Sequence, residues 1–129
     1  MPTPETMTAA VHAYVSAFDR SDPGAVRDLF AADATVEDPV GSPPNVGHEA
    51  IYDFYAKSMK TGAKLFLEGP VRIAGNSAAF AFSVKLALSD SPMQIDVIDI
   101  FEFDDAGKVR SMRAYFGPTN FSGGAAPHA

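Results

Sequence analysis

The chain has 129 residues, 47% of them hydrophobic and 20% charged, which fits one folded domain and argues against intrinsic disorder. Ten Lys and Arg against 16 Asp and Glu give a net charge of −6, so nucleic acid and anionic membranes are poor partners. The absence of cysteine removes disulfides, thiolate metal sites and a Cys nucleophile in one step.

Met1 to Glu5 carries neither a basic stretch nor an apolar run of the signal-peptide kind. No window approaches the roughly 18 uncharged apolar residues of a membrane span, so the expected location is the cytoplasm. Met7, Val11, Tyr14, Val15 and Phe18 recur at helical spacing, with Thr3 and Pro4 placed to start a helix and Asp19 to Pro23 to end it. Asp22-Pro23 reads as an N-cap followed by Pro at the first helical position, opening a short helix that buries Val26, Leu29 and Phe30. Thr35 to Val40 is extended and runs into Gly41-Ser42-Pro43-Pro44-Asn45, read as loop. Ile51, Phe54, Tyr55 and Ser58 mark a third amphipathic helix that closes near Gly62.

The period then changes from 3.6 to 2. Lys64 to Glu68 and Val71 to Ile73 are short strands bounded by Gly69-Pro70 and Gly75-Asn76. Phe80, Phe82, Val84, Leu86 and Leu88 alternate with smaller or polar residues in a longer strand. Another runs from Met93 to Phe103, and Asp104-Asp105-Ala106-Gly107 turns it into Lys108 to Phe116. Phe121 to Ala129, rich in Gly, Ala and Pro, is expected to fray. Helices first and a meander of strands afterwards predict an α+β fold: a curved antiparallel sheet with helices on one face, in a single domain over residues 1–129.

No phosphate-binding glycine loop, HExxH or GxSxG pattern occurs, and His12, His48 and His128 are scattered as surface residues, so no metal centre is expected. The informative residues are carboxylates. Asp99 falls in the row Ile95, Val97, Asp99, Phe101 and Phe103, otherwise apolar. Burial without a cation disfavours the charged form and predicts a neutral acid able to donate a hydrogen bond. An edge strand wet on both faces would account for Asp99 equally well. Asp38 shares parity with Val36 and Val40 and precedes Pro39, which places it inward or makes it a common Asp-Pro turn opener. Tyr14 and Tyr55 lie on core stripes, where packing alone would explain them. An apolar pocket with one ionised carboxylate, one neutral acid and one phenol holds a base for a carbon acid and two donors for the enolate oxygen. That chemistry, a proton moved beside a carbonyl, needs no metal or organic cofactor.

Ala32 to Pro44 with its Val-Glu-Asp-Pro, then Gly69-Pro70-Val71-Arg72, Asp96-Val97-Ile98-Asp99 and Ala114-Tyr115-Phe116 closely resemble bacterial steroid Δ-isomerases (ketosteroid isomerases). The similarity runs from the first helix to Asn120. It implies the cone-shaped α+β fold of the nuclear-transport-factor-2-like (SnoaL-like) superfamily, with three N-terminal helices on the concave face of the sheet. It also implies roles. Asp38 matches the general base that carries a proton from carbon 4 to carbon 6 of a 3-oxo-Δ5-steroid. Tyr14 and protonated Asp99 match the oxyanion hole, and Tyr55 a tyrosine bonded to Tyr14 from behind. Phe54, Phe82, Val97, Met112 and Phe116 match walls of the steroid cleft, and the resemblance implies a homodimer joined through the sheets. Phe30 stands where some members have a further tyrosine, and Phe116 where others have tryptophan. A cyclase, dehydratase or epoxide hydrolase on another polycycle would keep the fold, but such relatives tend to use His or an Asp-Arg-Asp set. A non-catalytic apolar-ligand module would have no reason to bury Asp99.

Overall fold

Thr3 starts the chain's first helix: its hydroxyl accepts from the Thr6 N–H at 3.1 Å, and Pro4 fills the first turn, where its missing N–H costs nothing. In this computed structural model, which describes residues 1–88 and 91–123, helix α1 (Pro4–Asp19) buries Met7, Ala10, Val11, Tyr14, Ala17 and Phe18 along one stripe. Its last turn has no basic residue of its own. Lys64 supplies the charge from elsewhere, its Nζ donating to the Phe18 and Asp19 carbonyls at 3.2 Å each. Asp22 caps α2 (Pro23–Arg27) through the Ala25 N–H. The third helix, α3 (Gly47–Lys60), buries Ile51, Tyr55 and Met59.

The strands are β1 (Phe30–Glu37), β2 (Asn45–Val46), β3 (Lys64–Leu67), β4 (Arg72–Ala74), β5 (Ser77–Leu88), β6 (Ser91–Phe103), β7 (Val109–Tyr115) and β8 (Phe121–Gly123). They form one curved sheet in the order β2-β1-β7-β6-β5-β3, with β4 added on β5 and β8 on β6. The α+β architecture with three helices is as expected, but the sheet is mixed where an antiparallel one was read. Strands β1 and β7 run parallel, Val36 opposite Met112 and Glu37 opposite Arg113. Alternation reports which face a side chain takes, not which strand lies next to it or in which direction. Here the chain returns to β1 only after α3 and four more strands.

Three local readings also change. Phe30 and Ala31 to Ala34 belong to β1, not to a helix and its exit, because tertiary pairing overrides the weak preference of Ala32-Asp33-Ala34. Asn45, read as loop, pairs with Val36 in an edge strand. Phe121 to Gly123, read as the start of a frayed tail, pair with Ile95, Gln94 and Met93, while residues 124–129 lie outside the described residues. His12 is exposed as expected, His128 is outside the described residues, and His48 is half-buried and donates from Nε2 to the Phe30 carbonyl at 2.8 Å.

Between helices and sheet lies an aromatic layer. Phe101 meets Tyr14 edge-on at 5.2 Å between centroids and Phe80 at 5.0 Å, and Phe80 stacks on Phe82 at 5.5 Å. Such pairs contribute about 0.5–1.5 kcal/mol each beyond their burial, and they pack α1 over the start of β5 and the end of β6.

Candidate active site

Strand β6 pairs with β5 on one side and β7 on the other, so the wet-edge explanation for Asp99 fails. Asp99 sits opposite Phe80 and Ala114 and is 1% exposed, in line with buried Val97, Phe101 and Phe103, while Asp96 and Ile98 face out. Among the described residues neither of its carboxyl oxygens has a hydrogen-bond partner. Burial pushes the carboxyl well above the ordinary carboxylate range, and the Asp38 charge pushes it further. The Tyr14 hydroxyl opposes both without closing a hydrogen bond.

Asp38 follows the last residue of β1. The segment after it is pinned to β7 by the Val40 N–H, which donates to the Ala114 carbonyl at 2.8 Å. The Gly41 N–H donates to Glu37 Oε2 at 2.8 Å, with Gly41 at φ +101°, a conformation that suits glycine. The Asp38–Pro39 bond is cis. Ala114 therefore links the two segments: its Cα partner is Asp99 and its carbonyl anchors Val40, two residues after Asp38. Asp38 is half-buried, and burial raises its pKa from 3.8 to about 6.

Tyr14 and Tyr55 are buried with their hydroxyls 3.1 Å apart. Burial is the main cause that raises both phenols well above their usual range, and the two carboxyls add to it. Phe30 packs on Tyr55 at 6.2 Å between centroids, so the hydroxyl pair is not extended on that side.

Tyr14, Asp38, Tyr55 and Asp99 all open onto one cavity of about 280 Å³. Of the expected walls, Phe54, Phe82, Val97 and Phe116 line it. Met112 does not: it is fully buried beside Phe101, one step behind Asp99 along the sheet, where the Tyr14–Phe101 contact shuts it off. Val84, Leu86 and Ile95 are further walls, and they share parity with Phe82 and Val97, a signal present in the alternation. Leu65, Ser58 and Thr61 complete the outer half, and nothing in the spacing singled them out beyond Ser58 lying on the α3 stripe. Among the described residues no three His, Asp or Glu converge to hold a metal ion. The site thus offers one half-open base, one deeply buried acid and a supported phenol around an apolar volume.

Residues 11–112 match the SnoaL-like domain family model. The chain is 40% identical over 111 residues to a steroid Δ-isomerase of Nocardioides simplex, covering 85% of this chain and 89% of that protein. It is also similar in fold to the solved structure of SalBIII, an epoxide hydrolase/cyclase-like enzyme of pyran-ring formation in the polyether salinomycin. The TM-score is 0.87, with 23% identity over 95% of this chain and 98% of that one.

Proposed function

We propose that this chain, which belongs to the SnoaL-like domain family, converts 3-oxo-Δ5-steroids to their conjugated 3-oxo-Δ4 isomers by intramolecular proton transfer. The observation that carries the reading is the convergence of Asp38, Tyr14 and unpartnered, buried Asp99 on one apolar cavity, together with the steroid Δ-isomerase relative.

The ionised Asp38 removes the proton from carbon 4. The C–H electron pair becomes the C3–C4 double bond and the carbonyl pair moves onto oxygen, giving a dienolate. Neutral Asp38 then returns the proton to carbon 6 as the oxygen pair re-forms the ketone, and the double bond comes to rest between carbons 4 and 5. A pKa of about 6 leaves Asp38 mostly ionised at pH 7 yet about a hundredfold more basic than an ordinary Asp. The developing oxyanion receives two hydrogen bonds. Asp99, held neutral by burial, donates its own proton, and Tyr14 donates while accepting from Tyr55. Both donors are fixed before the reaction in surroundings that exclude water, where a single such donor is worth on the order of 10²–10³ in rate.

The proposal assigns the fold neighbour's cyclase or hydrolase chemistry no role here: among the described residues neither His nor Arg lines the cavity. It sets the enzyme in the cytoplasm as a homodimer without metal or organic cofactor, acting on a diffusing steroid. No helix of the described residues is long and apolar enough to cross a membrane. In support of a dimer, Ile98 and Tyr115 are Cα partners exposed on the outer face of the sheet, and Phe66 shares that face through Ser83 and Asp96. The test is ultraviolet absorbance of the conjugated enone as purified protein meets a Δ5-androstene-3,17-dione. The expected result is rapid growth; none above buffer with folded protein overturns the proposal.

A further inference from the structure

We propose that the outer end of the cavity selects steroids that carry a hydroxyl, in preference to a ketone, on the ring remote from the reacting carbonyl. This rests on the isomerase reading of the inner end and adds a second polar contact to it.

Tyr55, Ser58 and Thr61 follow one another at three-residue spacing along α3 and its C-cap, and all three line the cavity. Tyr55 marks the inner end, since its hydroxyl meets that of Tyr14. At a rise of about 1.5 Å per residue, Thr61 lies about 9 Å further along the helix axis. The walls between are apolar, among them Phe54, Leu65, Val84 and Leu86. Polar groups thus occur at two ends of an apolar slot, a pattern matched by a rigid fused-ring skeleton with one oxygen function at each end.

The outer pair has a definite polarity. The Ser58 hydroxyl donates to the Phe54 carbonyl at 3.1 Å, and the Thr61 hydroxyl donates to the Ser58 carbonyl at 2.6 Å. Each hydrogen is committed to the helix backbone, and each oxygen retains lone pairs that accept. Among the described residues no Lys, Arg, His, Asn or Gln lines the cavity, and the nearby Lys64 ammonium is engaged by the Phe18 and Asp19 carbonyls. The outer end therefore presents acceptors. A remote hydroxyl can donate to it, while a remote ketone, itself only an acceptor, meets no donor side chain there among the described residues. Thr61 is exposed and Ser58 half-buried, so Ser58 carries the larger share.

The experiment is equilibrium binding, which needs no turnover. Two 3-oxo-Δ4-steroids that differ only in a 17β-hydroxyl or a 17-ketone are titrated into the wild type, Ser58→Ala, Thr61→Val, the double variant and Thr61→Ser. The wild type is expected to bind the hydroxysteroid roughly three- to tenfold more tightly, as one neutral hydrogen bond allows. The ratio falls towards one in the double variant, mainly through weaker binding of the hydroxysteroid, and Thr61→Ser keeps it. Equal binding of both steroids by the wild type, or a ratio that survives loss of both hydroxyls, overturns the proposal and leaves the isomerase reading standing. Failure to bind either steroid overturns both. Normal binding and selectivity without isomerisation of the Δ5 substrate overturns the isomerase reading alone.

Discussion

Replacing Asp38 by Asn tests the base through stability as well as rate. Burial raises the Asp38 pKa from 3.8 to about 6. Between those values the folded protein holds a proton that the unfolded chain has released, so unfolding releases protons and stability falls as pH rises. The contribution of the protonated carboxyl is fully present below 3.8 and is lost as pH climbs to about 6, beyond which the cost is constant. At about 1.36 kcal/mol per pH unit the interval from 3.8 to about 6 amounts to about 3 kcal/mol. Asn is neutral throughout and nearly isosteric. Denaturant unfolding of both proteins from pH 3 to 9 should show the variant about 3 kcal/mol more stable above pH 7, with the difference fading in acid. Groups that do not feel the Asp38 charge cancel in the difference, whereas Asp99, Tyr14 and Tyr55, which that charge raises, do not. Over the same range wild-type kcat/KM should fall about tenfold per pH unit below 6, while the more stable variant is nearly inactive. A stability difference independent of pH, or an activity midpoint near 3.8, would refute the assignment of Asp38 as a base activated by burial.

Asp99→Leu should lower kcat on the order of 10²–10³-fold and Asp99→Asn, which keeps an N–H donor, far less; equal losses in steady-state rates would show that donation is not the role. Tyr55→Phe removes one neutral hydrogen bond behind Tyr14 and should cost kcat less than about tenfold with little change in KM, so a loss as large as that of Asp99→Leu would place Tyr55 in direct contact with the oxyanion. Ile98→Asp, on the outer face of the sheet, should shift sedimentation from dimer to monomer, and an unchanged sedimentation coefficient would move the interface elsewhere.

The parts of the site that follow strict local rules were legible in the sequence. Thr3 and Asp22 cap the helices they were expected to cap, because a capping side chain acts within three residues. The alternation of β6 puts Asp99 in an apolar row but leaves an inward acid and a wet edge equally open, and only the pairing of β6 with both β5 and β7 excludes the edge. What local rules cannot carry is adjacency. Asp38 and Asp99 are neighbours because β1 lies parallel to β7, so that Val40 reaches Ala114, whose other partner is Asp99. That seam joins segments some 75 positions apart in sequence and leaves no periodic trace, so the antiparallel expectation failed at the contact that assembles the site. The same limit applies to Ser58 and Thr61. Ser58 lies on the helical stripe of α3, but its place in the cavity, like that of Thr61, depends on Leu65 of β3 and Val84 and Leu86 of β5 lining the same volume.

In the proposed mechanism, depth in the sheet is what separates the base from the acid. Both are raised by the same physical cause, removal from water, and they differ in how completely it acts. Asp99, in the middle of an internal strand, loses water on every side, and its carboxyl finds no protein donor to replace it. Asp38, just past the end of an edge-ward strand, keeps part of its solvation. Asp38 must therefore ionise first as pH rises. Once it does, its charge raises Asp99 further, since two like charges beside one apolar cavity oppose each other. In the proposed mechanism the two act as a coupled unit, Asp38 the ionised member and Asp99 the protonated one. On that reading a bound steroid would exclude further water from Asp38, and the charge created on its oxygen would appear beside the proton of Asp99.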